Sequence, residues 1–143
     1  REENNMVKNE YTVISFKGGV AYKAAHEGDA IVYTQGYEEA LIPIQSETIT
    51  DGGFTFELKE GDNSALSDAA AVSDSNLVSG GPAAGALEPT FAATDDDKST
   101  WFYYRGGKRY LRIDLKAVTG APDTGGSFIG TVIRMGARHM PAV

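Results

Sequence analysis

Glycine-rich turns divide this chain into short runs of β-branched and aromatic residues, and this punctuation limits the possible fold more than any other feature. The 143 residues include 17 glycines. Strand-forming runs lie at residues 11–16, 20–23, 30–34, 37–49, 54–60, 90–92, 100–105, 108–115 and 127–135. No segment has the apolar spacing of an amphipathic helix of three turns. The sequence therefore predicts an all-β fold, an antiparallel β-sandwich or jelly roll of about seven to nine short strands.

Two segments depart from this pattern. Residues 1–10 are polar and charged, which predicts a flexible N-terminal arm ahead of one β-sandwich domain at residues 11–143. Residues 61–97 are rich in Ala, Ser, Gly and Asp, which predicts a long irregular loop that contains short elements or serves a function. Within the run 37–49, Pro43 cannot donate to a β-ladder, so we predict an edge or bulged strand there.

The stretch 100–115 is the richest in aromatic residues and is centred on Gly106 and Gly107. Two glycines between strand-forming runs predict a β-hairpin, because its two-residue turn requires positive φ and glycine supplies it without strain. In that register Trp101 lies opposite Arg112. Since side chains alternate along a strand, one face of the hairpin is predicted to belong to the core: Phe102, Leu111, Ile113 and Leu115.

The opposite face of the predicted hairpin is the candidate contact surface. It carries Trp101, Tyr103, Tyr110, Arg112 and Asp114, and Trp, Tyr and Arg are the residue types that most often dominate interface energies. Arg112 is expected to lie over Trp101 as a cation–π pair. The alternative is that neighbouring loops cover this face, since antiparallel sheets commonly bury one face and leave the other in water.

Composition excludes several classes of partner. The formal net charge of −7 argues against a nucleic-acid-binding protein. The chain has no cysteine, which excludes disulfides and thiolate metal sites. No apolar run approaches the roughly 18 residues of a membrane helix, and no signal peptide is recognisable. We therefore expect no nucleic-acid partner and no membrane partner.

Acidic residues are concentrated at 95–97 and within 60–68. Calcium binding is one interpretation, since calcium takes oxygen ligands from loops, but neither group has the spacing of an EF-hand; the other is that these residues cap turns. Residues 123–125 spell Asp-Thr-Gly, as in aspartic proteases, in an ordinary turn context. His26 and His139 lie far apart, and no nucleophile elbow occurs. We predict no catalytic residues, no cofactor and no metal.

Several segments resemble small virion proteins of tailed phages. They are Tyr-Tyr-Arg-Gly-Gly-Lys-Arg-Tyr-Leu-Arg-Ile at 103–113, Thr-Gly at 119–120 and Ile-Gly-Thr-Val-Ile-Arg-Met-Gly at 129–136, with similar runs at 37–41 and 53–62. The resemblance covers residues 34–136, and the loop at 64–87 departs from the pattern. It implies a jelly-roll cement or decoration protein of the capsid, and it brings no catalytic residues.

The resemblance implies a non-enzymatic structural subunit that binds and stabilises the lattice of the major capsid protein. Such a subunit is expected to be a homo-oligomer, a dimer or trimer, made in the host cytoplasm and placed on the outer capsid surface. One alternative is a sugar-binding jelly-roll module of a tail or adhesin that uses Tyr110, Arg112 and Asp114. Another is a neck or tail subunit, and copy number per particle would separate that role from a place in the shell.

Overall fold

The computed structural model describes residues 12–72, 77–80 and 89–137. The described strands, in chain order, are β1 (Thr12–Phe16), β2 (Ala21–Tyr22), β3 (His26–Glu27), β4 (Val32–Tyr33), β5 (Tyr37–Ile49), β6 (Gly53–Gly61), β7 (Ala70–Ala71), β8 (Leu77–Gly80), β9 (Thr90–Phe91), β10 (Ser99–Tyr104), β11 (Tyr110–Thr119) and β12 (Gly126–Ala137). The predicted N-terminal arm and His139 lie outside the described residues. In the part that is described, every regular element is a strand.

Two antiparallel sheets form the fold. Sheet 1 has the order β1-β12-β5-β10-β8, with β2 beside β12, and sheet 2 has the order β3-β11-β6-β7, with β4 beside β11 and β9 beside β6. The long strands alternate between sheets along the chain: β5 lies in sheet 1, β6 in sheet 2, β10 in sheet 1, β11 in sheet 2 and β12 in sheet 1. This is the strand order of a jelly roll, and the predicted fold class is confirmed.

The core lies between the two sheets and is built from the inward positions of each strand. Phe128 is its centre: its ring lies 5.1 Å from Phe54, 5.0 Å from Phe56 and 5.4 Å from Phe91, measured between ring centroids. Edge-on and tilted contacts of this kind are the preferred arrangements of aromatic pairs. The four residues predicted to face the core from 100–115 are all fully buried, as alternation requires: Phe102, Leu111, Ile113 and Leu115.

The predicted hairpin at Gly106-Gly107 is wrong. Strand β10 pairs with β5 and β8 in sheet 1, whereas β11 pairs with β6 in sheet 2, so residues 105–109 cross from one sheet to the other. Neither glycine adopts positive φ. The structure gives Gly106 a different reason to be glycine, because a β-carbon there would overlap the ring and hydroxyl of Tyr104.

Of the two alternatives predicted for the run 37–49, the edge strand is wrong, and the irregularity in the pairing of β5 with β12 lies at residues 46–49 rather than at Pro43. Strand β5 lies inside sheet 1, between β12 and β10. Pro43 is opposite Trp101 on the β10 side. On the β12 side the register is the same at Leu41–Ile133 and at Ile44–Gly130, but the two positions between them, which include Pro43, are not paired. An interior strand accommodates the proline because the pairing with β12 is interrupted where its missing N–H would otherwise donate.

The segment 61–97 contains short strands, as the sequence predicts. Strands β7 and β9 pair with the same edge of β6, at opposite ends of that strand, because β11 occupies its other edge, while β8 extends sheet 1 beyond β10. Residues 73–76 and 81–88 of this segment lie outside the description. The predicted loop is therefore, in its described parts, a set of edge strands that widen both sheets.

Candidate contact surface

The five residues predicted to share one contact face lie on two different faces. Trp101 and Tyr103 are on β10, and they lie on the outer side of sheet 1 because their neighbours Phe102 and Tyr104 are buried in the core. Tyr110, Arg112 and Asp114 are on β11 in sheet 2. Because the core separates the outer sides of the two sheets, these five side chains do not form one surface.

Arg112 and Asp114 form a buried ion pair on the outer side of sheet 2. Arg112 Nε donates to Asp114 Oδ1 at 2.6 Å, and Arg112 Nη2 donates to Asp114 Oδ2 at 2.9 Å. The two residues are only 8% and 6% exposed. The hydrogen bonds that the guanidinium donates to Asp114 raise the pKa of Arg112. Two parallel bonds between Arg and a carboxylate are a strong and geometrically specific interaction.

Further contacts complete this pair. Arg112 Nη2 lies 3.4 Å from Glu27 Oε2, and the backbone N–H of Gly28 donates to Asp114 Oδ1 at 3.3 Å. The predicted cation–π contact between Arg112 and Trp101 is therefore wrong, since the guanidinium is bound within sheet 2. The sugar-binding alternative requires Arg112 and Asp114 to bind the hydroxyl groups of a sugar. In the structure these contacts within the chain already occupy the polar groups of both residues.

Other side chains on the outer side of sheet 2 also have partners within the chain. Glu57 lies 3.1 Å from Lys59 and 3.8 Å from Lys116. Tyr110 packs on Tyr33 at a centroid distance of 5.3 Å. Charged groups with partners in their own chain are compatible with a face that meets water.

The outer side of sheet 1 has the opposite character. The apolar side chains at its outward positions on β1, β5, β10 and β12 form what we call the apolar face: Ile14, Leu41, Pro43, Trp101, Tyr103, Ile129 and Ile133. Two polar outward residues, Gln45 and Thr131, lie among them. Ile14 is 57% exposed and Ile129 is 37% exposed, and the other members are half-buried. A contiguous apolar patch on the outside of a domain indicates an interaction surface more often than isolated exposed residues do.

Strand register brings the members of the apolar face together. Tyr103 is opposite Leu41, which is opposite Ile133, so three strands contribute one row of apolar side chains. Trp101 lies opposite Pro43, and its ring contacts Tyr103 edge-on at 5.4 Å. The aromatic pair is thus held against a rigid aliphatic surface, in an arrangement that resembles interface cores.

Charge appears at one end of the apolar face. Arg105, which directly follows β10, has its Nε 3.5 Å from Oε2 of Glu39 on β5 there. The members defined above include no charged residue. Charge-poor centres with polar rims are typical of protein interfaces.

Sequence reasoning found two members of this face and missed the aliphatic ones. The signal was present in residues 40–44, where Ala, Leu, Ile, Pro and Ile are consecutive. An unbroken apolar run in a strand indicates that both of its faces are covered. The proline predicts only an edge or bulged strand, whereas the apolar run around it indicates that Leu41 and Pro43 face a covered surface.

The acidic groups considered for calcium bind backbone amides instead. Asp68 accepts hydrogen bonds from the N–H groups of Asp62 and Asn63, and Asp96 accepts one from Ile49. These bonds lower the pKa of Asp68 below its usual value. Among the residues that the structure describes, no three His, Cys, Asp or Glu side chains are grouped so as to hold a metal ion.

The Asp-Thr-Gly turn at 123–125 is held by a second acidic residue, Asp51. Its carboxylate accepts hydrogen bonds from the N–H groups of Asp123 at 2.8 Å, Thr124 at 3.1 Å and Gly125 at 2.6 Å. These three donors lower the pKa of Asp51. The segment is a capped turn between β11 and β12, as its sequence predicts.

Comparison with known proteins gives one distant structural likeness. The crystal structure of the SPBc2 prophage-derived protein YomS is similar to this chain. Its TM-score is 0.48 and its sequence identity is 10%, over 86% of this chain and 90% of that one. No protein-family model matches the chain, and neither does any curated protein sequence. Within the described ranges, no helix is long and apolar enough to cross a membrane.

Proposed function

We propose that this chain is a non-enzymatic structural protein of a tailed-phage virion, a cement or decoration subunit that binds the lattice of the major capsid protein. The observation that carries the proposal is the apolar face on the outside of sheet 1. The resemblance of residues 34–136 to small virion proteins supports it. In this proposal the subunit is made in the host cytoplasm and resides on the outer capsid surface.

The two outer surfaces of the sandwich suggest an orientation on the shell. The apolar face has an aromatic pair next to aliphatic side chains, and burying this surface against a partner is favourable because it removes apolar area from water. The outer side of sheet 2 has its charges paired internally and gains little from a partner. We therefore propose that sheet 1 contacts the capsid and that sheet 2 faces the solution.

The test compares two isoleucines of similar exposure. Ile129 is 37% exposed on the apolar face, and Ile31 is 39% exposed next to β4 in sheet 2. Ile129→Lys places a charge in the proposed contact and is expected to abolish saturable binding to undecorated capsids. Ile31→Lys makes the same chemical change elsewhere and is expected to leave binding unchanged. Co-sedimentation with capsids measures both, and thermal unfolding verifies that both variants fold.

Two outcomes would contradict the proposal. The first is that the unmodified protein shows no saturable binding to capsids. The second is that Ile129→Lys and Ile31→Lys bind equally well. Sedimentation velocity of the free protein tests the expected dimer or trimer: if Ile129→Lys dissociates it while capsid binding persists, the apolar face joins copies of the chain and does not contact the shell.

A further inference from the structure

An open polar cleft lies at one end of the sandwich, away from the centre of the apolar face. It has a volume of about 460 Å³, and its polar and aromatic lining comprises Thr34, Gln35, Tyr37, Asp62, Lys108 and Arg109. The turn between β4 and β5 forms one wall, and the segment that crosses between the sheets forms the other. The volume of the cleft is within the range of roughly 300–1,000 Å³ that small-ligand sites have.

Hydrogen bonds fix the two walls relative to each other. The N–H of Thr34 donates to the carbonyl of Arg109 at 2.7 Å, and its hydroxyl donates to the carbonyl of Lys108 at 3.0 Å. Asp62 Oδ1 accepts from the N–H of Arg109 at 3.2 Å. A ligand that enters the cleft therefore meets a pre-formed arrangement, and pre-organisation lowers the cost of binding.

The cleft carries one uncompensated cation. Lys108 Nζ lies 3.4 Å from Asp62 Oδ2, so these two charges offset each other. Among the described residues, the guanidinium of Arg109 has no carboxylate within ion-pair distance, and Arg109 is exposed. The planar guanidinium donates two parallel hydrogen bonds to a carboxylate, which is the group it would recognise here.

An exposed aromatic ring, that of Tyr33, lies next to the lining of the cleft and is hydrogen-bonded to Gln35. Tyr33 is 46% exposed and is supported from one side by Tyr110. Its hydroxyl donates to Gln35 Oε1 at 2.8 Å, which fixes the amide and leaves its NH₂ group to donate to a ligand. A rigid ring beside fixed amide and cationic donors matches a sugar, whose C–H face packs on aromatic surface while its hydroxyls take hydrogen bonds.

We propose that this cleft binds a saccharide that carries a carboxylate, with Arg109 on the carboxylate, Gln35 on a hydroxyl and Tyr33 against the ring. The site shares no residue with the apolar face, so this proposal stands independently of capsid binding. The net charge of −7 opposes an anionic ligand only weakly, because charges further from the cleft than the Debye length of about 8 Å are largely screened at physiological salt.

The test uses an array of oligosaccharides that end in glucuronic, galacturonic or sialic acid, each beside its uncharged counterpart. The protein is expected to retain acid-terminated members in preference to their neutral partners. The best of these is then titrated by calorimetry. Arg109→Ala and Tyr33→Ala are each expected to weaken its binding by roughly tenfold or more, the size expected for the loss of a charge-assisted bond or an aromatic contact.

Lys17→Ala is the matched control, since it also removes one positive charge from an exposed residue. Lys17 directly follows β1 and lies near the end of β5 that is far from the cleft. The N–H of Gly19, two residues after Lys17, donates to Glu47 on β5. Glu47 is ten residues along β5 from Tyr37, which lines the cleft, and ten residues of extended strand span about 33 Å. We expect Lys17→Ala to bind as the unmodified protein does. The proposal is overturned if no acid-terminated saccharide is retained, or if Arg109→Ala binds the titrated saccharide with unchanged affinity.

Discussion

The buried ion pair on sheet 2 provides the sharpest test of how the two outer surfaces differ. We consider Arg112→Leu, Asp114→Leu and the double variant. Removing one partner of a buried pair typically costs about 3–5 kcal/mol, because the remaining charge is left without compensation. For Asp114→Leu we expect the lower end, about 3 kcal/mol, since Glu27 remains 3.4 Å from the guanidinium with a side chain that is 76% exposed.

The other two variants follow from the same contacts. Arg112→Leu leaves Asp114 with the N–H of Gly28 at 3.3 Å, so we expect a loss of about 2 kcal/mol. The double variant removes both charges and replaces them with apolar volume, which typically recovers much of the loss, and it still leaves Gly28 without its acceptor. We expect it to cost about 2 kcal/mol, which gives a coupling energy of about 3 kcal/mol.

Urea unfolding measures these free energies, and the Tm of Asp114→Leu should fall by roughly 10 °C for a chain of this size. Capsid binding of the folded variants should be unchanged, because the pair lies on the face proposed to meet solution. A coupling energy below about 1 kcal/mol would refute the reasoning, since that is the value of a solvent-exposed pair. Loss of capsid binding in variants shown to be folded would place Arg112 and Asp114 in the contact surface.

Three further predictions concern the core and the turns. Ile113→Ala truncates a fully buried side chain and should reduce the free energy of unfolding by about 2–5 kcal/mol in urea. Gly106→Ala places a methyl group against the buried Tyr104 ring and should cost about 1–3 kcal/mol, seen as a lower Tm; an unchanged Tm would show that the ring moves freely. The lowered pKa of Asp51 stabilises the fold above the usual Asp value of about 3.9, and this stability is lost as pH falls through the lower folded value. Asp51→Asn should therefore flatten the pH dependence of Tm in that acidic range, and an identical slope in both proteins would contradict this.

The sequence predicted the strands well because their signals are local. The alternation in residues 54–60 places Phe54, Phe56 and Leu58 in the core, where the structure has them. Thr90 and Phe91 return to a sheet as expected. Alternation and turn residues act within a few positions, so they can be detected without knowing which strands are neighbours.

Strand pairing could not be predicted in the same way, and the candidate site depended on it. A pair of glycines between two strand-forming runs favours a hairpin when no other constraint acts. Here β10 and β11 each pair with partners from distant parts of the chain, and Gly106 is required by the contact with Tyr104. Tertiary contacts therefore determine the conformation at Gly106, where local turn chemistry alone predicts a hairpin.

The same dependence on strand pairing explains why the predicted contact surface and the observed apolar face contain different residues. Trp101 and Tyr103 keep their outward orientation, because alternation along β10 fixes it whichever strand lies beside them. Their neighbours, however, are Pro43 and Leu41 rather than Arg112 and Tyr110. An aromatic and charged surface in the sequence-based interpretation is thus an aromatic and aliphatic one in the structure, which favours a desolvated protein contact over a hydrated one.

The positions of the two proposed sites make them compatible in one particle. The apolar face occupies the outer side of sheet 1, whereas Tyr33, which is hydrogen-bonded to Gln35 of the cleft, and Tyr110, which packs on Tyr33, form an aromatic border on sheet 2. Covering sheet 1 with a capsid protein would therefore leave the aromatic border of the cleft in contact with the solution. A subunit bound to a shell through sheet 1 would display many copies of the cleft outwards, and even weak binding to acidic saccharides would then be strengthened by multivalency.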